Sequence, residues 1–114
     1  MKFRQQQYDE ALDALSRAAQ LSPQNAEIQN ILGLTLSHKG LRGPAETALR
    51  KAIALDPHHA SAHNNLAMIY LTQQPPAVEL ARWHYEKARA AGHQRNEELE
   101  RLLKEKGTPP AASP

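Results

Sequence analysis

The chain has 114 residues, enough for one small domain, and its 14 Lys and Arg against 12 Asp and Glu leave a net charge of +2. That balance is too even for a basic nucleic-acid patch. The absence of cysteine excludes disulfides, thiolate metal sites and cysteine nucleophiles.

Apolar residues make up 40% of the chain but aromatic residues only 4%, so the core must come from Leu, Ala and Ile. Such small cores suit closely packed helices better than a sheet. No apolar run is long enough to span a bilayer, and the polar start KFRQQQ is no signal peptide. The compartment stays open, and neither a membrane nor a nucleic acid is expected as a partner.

Leu12, Leu15, Ala18 and Ala19 recur at helical spacing, which predicts a helix from about residue 4 or 8 to 21. Ser22-Pro23 ends it, because Pro disfavours a helical residue before it. Asn25 is the expected N-cap of a helix over 26–39, whose packing side is Ile28, Ile31, Leu32 and Leu36 with Gly33 and Thr35. Gly33 would let a neighbouring helix come close, and Gly40 would supply the left-handed C-terminal position. A third helix starts at Gly43-Pro44, with Pro at its first position, and runs through Ala45, Ala48, Leu49, Ala52 and Ile53 to Leu55. Asp56-Pro57 stops it.

A fourth helix opens at His59 or Ala60 and reaches Thr72, with Leu66, Ile69 and Tyr70 inward. Gln73-Gln74-Pro75-Pro76 turns the chain into a helix over 77–91 that ends at Gly92. Asn96 caps a last short helix, with Glu97 and Glu98 at its positive end and Leu99, Leu102 and Leu103 on one face. The other face is charged, the pattern of a terminal cap on a stack of repeats. The stretch 107–114 is small and Pro-rich, and is expected to be disordered.

A period runs through these elements. Ala11 and Ala45, Leu15 and Leu49, Ala18 and Ala52, and Pro23 and Pro57 are each 34 residues apart, and such a period belongs to a helical solenoid. The middle copy places Gln29, Leu32, Gly33 and Leu36 before Ala45, Leu49, Ala52 and Pro57. The third places His63, Leu66, Ala67 and Tyr70 before Ala81, Tyr85 and Ala88, with two residues inserted at the Gln73–Pro76 turn. The first copy has only its second half, Ala11, Leu15, Ala18 and Pro23.

Over residues 3 to 92 this resembles the tetratricopeptide repeat, W-x2-L-G-x2-Y, then A-x3-F-x2-A, then P. The leading Trp is replaced by Gln29 or His63, the Gly by Ala67 in copy three, and the closing Pro there by His93. The resemblance implies an all-α, right-handed α-α superhelix. It would comprise a half repeat 3–25, repeats 26–59 and 60–92 and a capping helix 96–106, about two and a half repeats in one domain, 1–106.

The resemblance also implies which residues line the groove. The first helix of each repeat would present Glu27, Asn30, Leu34, Ser37 and His38, then Ser61, Asn64, Met68, Leu71 and Thr72. Asn30 and Asn64 share one register position, and an Asn offers both donor and acceptor to a peptide backbone. Leu34, Met68 and Leu71 add apolar contact. Asn65 resembles the asparagine ladder that some repeats of the family carry, but Ile31 holds its place in the preceding copy and breaks the series. No Lys or Arg occupies a lining position, Lys39 being nearest, so a clamp for a C-terminal carboxylate is not expected.

Other chemistry is weakly represented. His59 and His63 are spaced as in zinc helices, but no carboxylate lies between them. They read as loop histidines, with His63 at the groove edge, and no metal or cofactor is expected. Ser37 and His38 are adjacent and so diverge by about 100° on a helix, which does not build a nucleophile. Trp83 lies off the core row; it would cover the Pro75-Pro76 turn or the base of the last helix, with a binding hot spot as the alternative. The expected function is therefore not enzymatic. A scaffold or adaptor would take a partner's peptide or helix in the groove. The alternative is a structural fragment of a longer solenoid whose surfaces serve stacking or self-association. With no partner helix for the first half repeat, Leu12 and Leu15 would line an open edge, where a second copy of the chain could pair.

Overall fold

The computed structural model describes residues 2–107, with side chains described from Gln5 onward. Six helices follow one another: α1 Lys2–Leu21, α2 Ala26–His38, α3 Arg42–Leu55, α4 Ala60–Thr72, α5 Val78–Ala90 and α6 Glu97–Gly107. There are no strands among the described residues. α1 begins earlier than the sequence predicts, and Gly107, placed in the tail by composition, closes α6; residues 108–114 of that tail lie outside the described residues.

The helix ends follow local chemistry. Asn25 Oδ1 accepts from the Ile28 backbone N–H at 3.2 Å, and Asn96 Oδ1 from that of Leu99 at 3.0 Å, so both expected N-caps form. The N-cap of α4 is His59, whose Nδ1 accepts from the Ala62 N–H at 3.1 Å; it is no solvated loop histidine. Past α2 the Gly40 N–H reaches Ser37 O and the Leu41 N–H reaches Leu36 O, both at 2.9 Å, with Gly40 at φ +81°. This pair of bonds is a Schellman closure, and it needs the left-handed residue that glycine supplies. Pro44 is the third residue of α3, not the first; the N–H it lacks would have had no helical partner there either.

α2 with α3 and α4 with α5 form two hairpin layers, joined where α4 packs on α2 and α3. α6 lies against α4 and α5, while among the described residues the backbone of α1 comes close to that of α2 and of no other helix. The core is built from Ala45, Leu49 and Ala52 of α3, Leu66, Ala67, Tyr70 and Leu71 of α4, Ala81 and Tyr85 of α5, and Leu99 and Leu103 of α6. The loop between α4 and α5 spans residues 73–77, against 39–41 between α2 and α3, so the insertion is absorbed there while Ala81, Tyr85 and Ala88 stay buried. Ile31, expected on the packing side of α2, is 42% exposed; its place inside is taken by Gln29, Asn30 and Thr35. No described helix is long and apolar enough to cross a membrane.

Besides its buried leucines, α6 is held at one hydroxyl. The Tyr85 O–H donates to Glu100 Oε2 at 2.5 Å and accepts from the Asn96 backbone N–H at 3.0 Å, while Arg95 Nη2 donates to Glu100 Oε1 at 2.6 Å. The Arg95 guanidinium, then the Tyr85 hydroxyl, hold the Glu100 carboxyl down at about 2 from its ordinary 4.5. A carboxyl depressed on folding stabilises the fold fully above the unfolded value and ceases to do so as pH falls through the folded one. Acidification from about 4.5 to about 2 is therefore expected to loosen α6. Hydrogen exchange of residues 97–107 across that window checks it. Glu100→Gln should already exchange faster at neutral pH and show no such window; an unchanged acid profile in the variant would remove Glu100 from the account.

Candidate functional site

Asn30 and Asn64 sit on α2 and α4, one helix in each layer, and both are largely buried. They are tied across the layers. Asn65 Nδ2 donates to Asn30 Oδ1 at 3.0 Å, and Asn96 Nδ2 donates to Asn64 Oδ1 at 3.3 Å. Asn30 Nδ2 in turn donates to Glu27 Oε1 at 3.1 Å. His59 joins this network: its Nδ1 accepts a backbone hydrogen bond, so its hydrogen is on Nε2, 3.4 Å from the same Glu27 oxygen. A run of polar rungs thus links α2, α4 and the start of α6.

The other expected lining residues divide by exposure. Glu27, Leu34, His38 and Ser61 are exposed, and Ser37, Asn65, Met68 and Thr72 are partly so. His38 stacks on Tyr8 of α1 with ring centroids 5.7 Å apart, and the Thr72 hydroxyl donates back to Met68 O at 2.8 Å. Leu71 is a correction: it is among the largest fully buried side chains and presents nothing to a partner. Lys39, the cation nearest the lining, is paired with Asp9. Leu12 and Leu15 of α1 are half-buried.

His63 is buried, not at the expected groove edge, and stands where the repeat motif has its leading Trp. Its Nε2 lies 2.8 Å from Pro57 O, which can only accept, so Nε2 carries the hydrogen. Its Nδ1 lies 3.0 Å from Nδ1 of the buried His84, which stacks on Tyr70. In the neutral pair His84 therefore donates to His63. Burial, then the neighbouring His63 and Arg50, lower the His84 pKa to about 4. Burial and the hydrogen bond to Glu46 push Tyr70 up to about 12. Spacing alone could not show this pair, since it joins different helices; the polar residue at a motif Trp position was its one signal. Among the described residues no group of three or more His, Cys, Asp or Glu is placed to hold a metal ion.

The contacts of Trp83 lie elsewhere than the expected Pro75-Pro76 turn or last helix. It stands edge-on to His84, centroids 4.9 Å apart, and lines a cavity with Pro57, Ile53 and His63, none of which belongs to the rungs.

Three family models match the chain: one described as TPR repeat over residues 1–40, and two described as Tetratricopeptide repeat over 26–59 and 48–98. Among solved structures it is similar to the first TPR of Spaghetti (RPAP3) bound to HSP90 peptide SRMEEVD. The two are 20% identical, with a TM-score of 0.79 over 93% of this chain and 85% of that one. No curated protein matches it. A chain whose period, helix pairing and matched segments agree in this way belongs to the tetratricopeptide-repeat family, a family of protein-interaction scaffolds.

Proposed function

We propose that the face carrying the rungs receives a peptide or helix of a partner protein, and that the chain acts as a scaffold or adaptor. The observation that carries this is what the rungs leave over. Asn30 uses both its amide nitrogen and its amide oxygen in the rungs, whereas Asn64 Nδ2 and Asn65 Oδ1 make no hydrogen bond among the described residues. Adjacent residues thus offer one donor and one acceptor, the complement of a peptide unit. Exposed Leu34 and half-buried Met68 beside them supply apolar contact. Peptide binding by a similarly folded domain supports the choice of ligand class. With Lys39 already paired, the described residues of that face offer no free Lys or Arg for an acidic C-terminus.

The test uses side chains that the rungs do not involve. Leu34→Arg with Ser61→Arg is expected to release a bound partner without lowering stability, read by pull-down and thermal melting. Asn30→Ala with Asn64→Ala would weaken both binding and folding, since each rung contributes about 0.5–1.5 kcal/mol. Partner retention by the arginine variant would sink the proposal.

A second reading, stacking or self-pairing through α1, is favoured by the backbone of α1 coming close to α2 alone among the described helices while Leu21 stays exposed. Sedimentation at rising concentration and loss of association in Leu12→Glu are its tests.

A further inference from the structure

The outer side of the domain carries a feature that the groove does not explain. The backbones of α3 and α5 do not approach each other closely, and a cavity of about 480 Å³ opens between them. Ile53, Pro57, Trp83 and Ala90 wall it, and His63 lies beneath. Both ring nitrogens of His63 are already engaged, by Pro57 and His84, so its imidazole has no nitrogen left for an occupant. The apolar walls and the volume fall in the range of sites that hold a large side chain or small ligand.

Trp83 is 49% exposed although it leans on two buried rings. Shielding the histidine pair accounts for its inner half. The outer half faces the cavity, with Lys87 Nζ over the ring, 5.1 Å from its centroid. Lys87 has no ion-pair partner among the described residues. No carboxylate lines the cavity: its titratable groups are Lys87, His58 and His63, and Glu86, next in sequence, faces the α5–α6 side. From α3, Arg50 and Glu46 stand near His84 and Tyr70 and offset each other. An unpaired cation above an exposed indole, at the mouth of an apolar cavity without acids, is complementary to an anion attached to an apolar body.

We propose that this outer cleft is a second docking site, which takes an acidic segment of a partner protein through an aromatic or large aliphatic anchor side chain. The anchor enters between Ile53, Trp83 and Ala90, and a flanking carboxylate pairs with Lys87. Exposed tryptophan of this kind is typical of residues that dominate binding. The cleft works independently of the rung face and leaves that face free.

Trp83 is the only tryptophan of the chain, so its emission reports the cleft directly. The probes are acetylated, amidated pentapeptides: Asp-Glu-Phe-Glu-Asp, its all-Lys-flanked counterpart, and the acidic peptide with Ala in place of Phe. The acidic Phe peptide is expected to give a saturable blue shift, and the other two at least about tenfold weaker binding. Lys87→Glu should weaken the acidic Phe peptide by a similar factor and favour the Lys-flanked one. Ala90→Leu, at an exposed position, should close the cleft, whereas Leu34→Arg should change nothing. Equal response to acidic and basic peptides, no saturation by millimolar peptide, or full binding by Lys87→Glu would each overturn the proposal.

Discussion

Leu49→Ala is expected to destabilise the domain by about 2–5 kcal/mol, measured by chemical denaturation. Leu49 is fully buried and stands at the centre of α3, between Ala45 and Ala52, where α3 meets α2. The loss combines the transfer of its methyl and methylene groups with the cavity they leave, because helices fixed by their other contacts close only partly around it. Domains of this size are stable by roughly 5–15 kcal/mol, so one such substitution removes a large share. A loss below about 1 kcal/mol would mean that the α2–α3 interface is not the packed centre described.

Gly33→Ala is expected to be destabilising although alanine is the better helix former. A Cβ on Gly33 would lie 2.6 Å from Leu49 Cγ, 2.9 Å from Leu49 Cδ2 and 3.1 Å from the Ala45 carbonyl oxygen. Leu49 is enclosed and the carbonyl belongs to the backbone, so neither yields easily. Overpacking of about 1–3 kcal/mol then outweighs a propensity gain of about 1 kcal/mol. The Leu49→Ala background deletes the side-chain atoms nearest the new methyl group. There Gly33→Ala should cost little or stabilise, giving a coupling of about 0.5–3 kcal/mol between the two positions. Additive effects in the double variant would show that α2 and α3 do not meet through this pair.

The helices were legible because their signals are local. Asn25 and Asn96 mark starts, Gly40 marks an end, and the 34-residue period places Ala45, Leu49 and Ala52 inside. Gly33 also declared its close approach. What escaped the sequence depends on which side chain meets which across layers. Leu71 has an apolar side chain that fits a groove or a core equally well, and only the packing of α4 decides for the core. Asn65 reaches Asn30 from 35 residues away, one step off the period, so matching equivalent positions could not pair them. His63 looked like an edge residue until His84 stood beside it, and for the same reason the sequence did not show that Trp83 shares a cavity with Pro57.

The rungs have a mechanical consequence. Asn65–Asn30 and Asn96–Asn64 hold each layer to the next in addition to the shared core. α1 has no rung and no fully buried described side chain; the Tyr8–His38 stack, the Asp9–Lys39 pair and half-buried leucines hold it. Under tension along the stack the molecule is thus a graded spring, with its weakest joint at α1. That joint extends first and absorbs the load, while the seating of α4 on α2 is retained until the rungs themselves are sheared.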